Sequence, residues 1–213
     1  MIDRKSERSG LEPTDHQVSL ASGARRGVND LLVFTALVAA GAGVRLVCRD
    51  LPNFAPVAAL ALFAGYYFRS ALLAISVPLA VMAISDWFLG GYGWYMMALV
   101  YGMLAFPVLL RGWLRRTFRF DRPGVAGQMV PLAGLVGCSL LSSLLFFVVT
   151  NFGVWLWFGA YEPGFGGLAH CYAAAVPFFR HTLTGDLVFS VVLFGSYATA
   201  HAIARVRVPA SAV

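Results

Sequence analysis

Apolar stretches separated by short polar or aromatic segments set the layout of this chain. They run Leu31–Cys48, Pro56–Phe68, Ala71–Gly90, Trp94–Leu110, Val125–Val149 and Thr182–Ala204. A helix of about 20 apolar residues matches the ~30 Å hydrocarbon core of a bilayer. The pattern therefore predicts an all-α, polytopic membrane protein with six transmembrane helices. The second stretch is the exception, reaching only ~20 Å as a helix. It must borrow Pro52–Ala55 or stop short against a protein-lined cavity. No solenoid-period repeat and no inverted repeat stands out.

Residues 1–29 are polar, mixed in charge and poor in aromatics, which predicts a flexible N-terminal tail. A transmembrane domain over residues 30–207 and a short tail over 208–213 complete the expected organisation. The small residues from Ala39 to Gly43 could pass for a cleavage site, but the polar region before the first apolar run is too long for a signal peptide.

The segment Asn151–Asp186 joins the last two apolar runs and is rich in aromatics, glycine and proline. It predicts a structured surface loop that roofs a cavity between helices, or else an aromatic belt that only anchors the protein. Two further segments share its chemistry: RDLPNFAP (Arg49–Pro56) and SDWFLGGYGWY (Ser85–Tyr95). Hydrogen-bonding and stacking residues thus gather at one end of the expected bundle, as they do around ligand pockets.

Composition agrees with the pattern. Of 213 residues, 59% are hydrophobic and 12% charged, well below the ~25% charged residues of soluble domains. The formal charge of +6 reports topology here rather than nucleic-acid binding. Arg4, Lys5, Arg8, Arg25, Arg26, Arg69, the cluster Arg111–Arg122, Arg205 and Arg207 fall on one side of a six-span layout; only Arg45, Arg49 and Arg180 fall on the other. That asymmetry predicts an even number of spans with both termini in the cytoplasm. Three cysteines without paired spacing argue against a disulfide scaffold and a structural zinc site.

Asp86 is the most informative single residue. An acidic group near the end of a span faces a cavity or a partner, so it contacts a ligand or closes a helix-end salt bridge. Arg45 and Arg49 share a helix face, suited to a planar anion, to lipid headgroups or, for Arg45, to Asp86. Arg180, His181 and Asp186 flank the start of the last run, where Thr182 or Thr184 could cap a helix. His170, Cys171 and His181 match no metal-ligand spacing. Trp155, Trp157, Tyr161, Tyr172 and Phe178 form a belt or stacking walls, and Asn53 and Asn151 could cap helices or bind a ligand. The candidate ligand contacts are thus Asn53, Asp86, Trp87, Asn151, Trp155, Tyr172, Arg180 and Asp186. No catalytic motif appears, and neither metal nor cofactor is implied. Ala36 with Ala40 and Ala39 with Gly43 form small-xxx-small pairs, as do Ala198 with Ala202 and Ala200 with Ala204, which let another helix approach closely.

Across residues 31–207 this layout resembles the substrate-binding S components of energy-coupling-factor transporters, which are small six-helix bacterial membrane proteins. The stretches PNFAPVAALALFAG (Pro52–Gly65), SDWFLGGY (Ser85–Tyr92), TNFGVW (Thr150–Trp155) and CYAAAVPFFRHTLTGDL (Cys171–Leu187) also look like an uncharacterised bacterial membrane family. The S-component resemblance implies that Ala36 and Ala40 dock on a transmembrane coupling subunit, with an ATPase module supplied by other genes. It brings no pattern of thiamine-, biotin- or riboflavin-specific members. The expected function is a small-molecule-binding subunit of a vitamin or micronutrient importer. The alternative is a structural or assembly protein with a filled interior.

Overall fold

The computed structural model describes residues 15–51, 56–117 and 125–206. These residues form helices throughout: α1 Asp15–Val47, α2 Val57–Tyr67, α3 Ala71–Leu89, α4 Trp94–Ala105, α5 Arg111–Thr117, α6 Val125–Trp157 and α7 Phe165–Val206. A 3-10 segment, Phe106–Leu110, joins α4 to α5, and Pro107 in its first turn removes an N–H the wider helix would need. Five helical stretches are long and apolar enough to cross a membrane: Gly23–Val47, Ala71–Leu89, Trp94–Thr117, Pro131–Trp157 and Phe165–Ala200. This is the helical complement of a membrane protein. The chain divides into a unit ending at Ala36 and a larger unit, Leu37–Val213, that holds every interhelical feature below.

The first helix begins earlier than expected. From Asp15 onward the segment assigned to a flexible tail is helical, and its described side chains from Gly23 to Val28 are exposed. No proline interrupts Asp15–Val47, so nothing breaks the backbone pattern where composition turns polar.

A larger correction concerns Asn151–Asp186, which is not a loop. Helix α6 continues to Trp157 and α7 starts at Phe165, leaving only residues 158–164 between them. The polar side chains at the end of α6 turn back onto their own helix: Thr150 Oγ1 donates to the Phe146 carbonyl at 2.6 Å and Asn151 Nδ2 to that of Phe147 at 2.8 Å. They therefore do not open the backbone. Gly159, at φ +62°, ends the helix in the left-handed region that glycine enters freely. Thr182 likewise donates to the Phe178 carbonyl inside α7 and caps nothing. Pro177 is accommodated within this helix, as proline often is in membrane helices.

Helix α2 organises the larger unit. It is apolar on every face, with Val57 to Gly65 all buried, and it packs against α3, α4, α5, α6, α7 and the 3-10 segment. At 11 residues it is only ~16 Å long, so its first turn, with unpaired N–H groups, falls inside the bundle, while its last turn runs into the exposed Arg69. Both ends meet charged side chains from other helices. At the C-terminal end, Arg115 Nε donates to the Tyr66 carbonyl at 3.0 Å and its Nη2 to that of Phe68. Arg111 Nη2 reaches the carbonyls of Phe68 at 3.3 Å and Arg69 at 2.5 Å. The 3-10 backbone at Val108 comes so close to α2 that a side chain at Gly65 would press on it.

At the N-terminal end, the first intrahelical bond is Leu60 N–H to Pro56 O at 2.8 Å, so Val57, Ala58 and Ala59 lack partners within the helix. Pro56 supplies no side-chain cap. The Asp186 carboxylate of α7 lies close to the Ala59 N–H instead, and Ser143 Oγ of α6 donates to its Oδ2 at 2.7 Å. A carboxylate at the positive end and guanidinium groups at the negative end both suit the helix dipole.

Removing a charged donor from the C-terminal end should be costly. Hydrogen bonds to charged groups contribute about 1.5–3 kcal/mol each. Arg111 keeps part of the cover, so Arg115→Leu is expected to lower unfolding free energy in detergent by about 2–4 kcal/mol. The exposed Arg116, changed to Leu, should shift it by no more than about 0.5 kcal/mol. Equal effects of the two would contradict the capping role.

Candidate functional site

The end of the bundle where α2 begins contains a cavity of about 610 Å³. Arg45, Cys48, Arg49 and Leu51 line it from the end of α1, and Val57 and Ala58 from the first turn of α2. Met82 and Leu89 of α3, Tyr92, and Met96, Val100 and Leu104 of α4 form a second wall. The last turns of α6 give Phe146, Phe147, Thr150, Asn151 and Val154, with Phe158 just beyond. Helix α7 adds Ala175, Phe178, Phe179, Thr182 and Asp186. A volume between 300 and 1,000 Å³ with apolar and aromatic walls and a few polar groups is the usual form of a small-molecule site.

The polar groups fall into two clusters. In the first, Arg45 Nη1 lies 2.9 Å from Asp86 Oδ1 and donates to Ser85 Oγ at 2.5 Å. Tyr101 OH donates to the other carboxylate oxygen at 2.8 Å. Asp86 is buried behind Arg45, and the arginine faces the cavity. Of the two outcomes expected for Asp86, the pairing with Arg45 is the one observed. Burial, and then the Asp86 carboxylate, raise the Tyr92 phenol above its usual pKa, so it stays a neutral donor beside the cavity at physiological pH.

The second cluster is Asp186 with Ser143, at the floor. Helices α6 and α7 run antiparallel, so Ser139 and Ser190, one turn beyond each member of this pair, lie level with one another. Both are buried, and their Oγ atoms have no hydrogen-bond partner. Aromatic contacts hold the wall above: Phe147 stacks at a tilt against Phe179 at 4.8 Å and against Tyr172 at 5.7 Å.

Residues 26–210 match the model of DUF6580, a family of unknown function. The chain belongs to DUF6580. No curated protein and no solved structure matches it. The DUF6580 segment takes in the whole cavity wall, from Arg45 to Asp186.

Within this DUF6580 segment, the residues expected from sequence to contact a ligand divide sharply. Asn151 and Asp186 line the cavity, and Asp86 acts on it through Arg45. Trp155 Nε1 donates to the Glu162 carbonyl at 3.1 Å, tying α6 to the connection that follows it. Tyr172 OH donates to the Val148 carbonyl at 2.6 Å and joins α7 to α6. Trp87 is 86% exposed and Arg180 is exposed, and neither is part of the lining. Asn53 lies outside the described residues. Ala36 and Ala40 are both exposed on α1. Among the described residues no three of His, Cys, Asp and Glu gather as a metal site. His170 instead packs edge-on against Tyr161 at 5.5 Å.

Sequence reasoning passed over Tyr101, Ser143 and Thr150, and read Thr182 only as a helix cap. The signal available was a hydroxyl inside an otherwise apolar run, which in a membrane helix turns to a buried partner or to its own carbonyls.

The Arg45–Asp86 pair can be tested as a unit. Arg45→Met alone leaves a buried carboxylate unpaired and is expected to cost about 3–5 kcal/mol of stability. The double change Arg45→Met with Asp86→Leu should recover most of that loss. Simple additivity of the two single changes, within about 0.5 kcal/mol, would contradict a coupled pair.

Proposed function

We propose that this protein binds a small molecule in the cavity over α2 and serves as the solute-binding subunit of an importer, in the manner of an S component. The observation that carries this is the hollow itself, about 610 Å³ with aromatic walls and two polar clusters, at one end of a bundle otherwise packed around α2. A protein that only packs against others has no use for such a volume, since an empty space forfeits dispersion contacts.

On this reading α2 also lies within the membrane and brings the number of spans to six. The arginines around α5 and those of the N-terminal segment face the cytoplasm together with both termini, and the cavity faces outward across the plasma membrane. A vitamin or micronutrient would enter between the α3–α4 and α6–α7 connections. Transport itself needs an ATPase module and a transmembrane coupling subunit from other genes, and the small-residue face with Ala36 and Ala40 is where that subunit would dock. Surrounding lipid is the remaining partner, and no nucleic acid is involved.

Native mass spectrometry of the protein released from lipid nanodiscs tests this. The expected spectrum contains a fraction carrying one bound mass of a few hundred daltons. Val154→Phe, which places a ring into the cavity from the wall of α6, should abolish that fraction while leaving the melting temperature within about 2 °C. A wild-type protein that carries no small molecule, and gains none from a vitamin panel, would remove the proposal.

A further inference from the structure

The charges around the cavity do not balance. Arg45 is already neutralised by Asp86 at 2.9 Å, and the exposed Arg49 has Asp50 3.9 Å from its Nε. Asp186 has no such counterpart. It lines the cavity and is only 2% exposed, and among the described residues no Lys, Arg or His nitrogen pairs with it. Its neighbours are neutral donors: Ser143 Oγ, which donates to it at 2.7 Å, and the nearby Ala59 N–H. The N-terminus of α2 offsets about half a unit of charge, which leaves the rest of an ionised Asp186 unmatched at the cavity floor. A carboxylate removed from water in this way either holds a proton or is stabilised by a cation in direct contact, and a cationic ligand selects the second state.

The walls around it suit the same partner. Phe147, Phe178 and Phe179 stand on the α6 and α7 sides, and the face of an aromatic ring attracts a positive charge that has lost its water. A compact hydrated ion does not need rings, whereas an organic cation gains from both the rings and the carboxylate. We infer that the small molecule taken up by this cavity carries a positively charged nitrogen, an ammonium or a cationic heterocycle, which sits against Asp186. The inference rests on the proposed binding role and specifies the chemical class of what is bound. Asp186 then has two uses at once, as cap of α2 and as counter-ion, because its two oxygens accept more bonds than Ser143 and Ala59 supply.

The test uses the full chain in lipid nanodiscs and a low-molecular-weight extract of its host cells. Wild type, Asp186→Asn and Val154→Phe are each incubated with the extract and washed, and the retained molecules are released and identified by mass spectrometry. Asparagine keeps the carbonyl oxygen that caps α2, so Asp186→Asn should hold its fold, which its own melting temperature checks. Molecules retained by wild type and excluded by Val154→Phe are expected to carry a protonated or quaternary nitrogen. Their retention should fall at least about tenfold in Asp186→Asn, the loss of one charge-assisted contact. The charge class of what wild type retains decides the matter even if Asp186→Asn folds poorly. Retention of neutral or anionic molecules overturns the cationic assignment and leaves the binding role standing; retention of nothing overturns both. A rise in melting temperature specific to Na⁺ over K⁺, and lost in Asp186→Asn, also overturns it by assigning the carboxylate to an inorganic ion.

Discussion

A helix that ends inside an apolar bundle must have its terminal N–H and C=O groups satisfied by something other than water. Helix α2 is such a helix where it begins, and side chains from neighbouring helices close both of its ends. Arg111 and Arg115 reach it from the α4–α5 rod, and Asp186 reaches it from α7. The buried carboxylate of Asp186 does not belong in an apolar interior, and it stands against the start of α2, where the helix end favours it. The aromatic rings of Phe63, Phe194, Tyr66 and Tyr197 fill the space between α2 and α7, at centroid distances of 5.4 to 5.9 Å.

The cavity is the other consequence of the same short helix. A column of ~16 Å is shorter than the helices packed around it, and the surplus falls at the end where Val57 and Ala58 face the hollow. The longer helices continue past that level and supply the walls. Asp186 stands at the boundary between the two regions, capping α2 and lining the cavity. The structural problem of ending a helix in an apolar interior and the proposed task of placing a charge under a ligand would be met by one side chain.

Much of this was legible in the chain. The apolar run Pro56–Phe68 is visibly too short to span, and Arg45 and Asp86 are visibly charges placed near the same end of two long runs. What misled was Asn151–Asp186, where glycine, proline and aromatics mimic a loop. In water such a composition would unravel a helix; in an apolar bundle, Thr150, Asn151 and Thr182 bond to their own helix and the backbone continues. Trp87 and Arg180 look like ligand contacts by residue type, but helix rotation turns them outward. Tyr101 and Ser143 were silent because their partners lie 15 and 43 residues away. Their roles follow from packing rather than local pattern.

The account stands or falls on α2 being held at its ends by side chains from other helices. Hydrogen–deuterium exchange of the protein in nanodiscs measures this directly. The amides from Ala58 to Phe68 should be among the slowest to exchange, and Asp186→Ala should speed those at the start of α2 at least about tenfold, the loss of one cap. Exchange in α2 as fast as in residues 158–164, or exchange indifferent to Asp186→Ala, would contradict it.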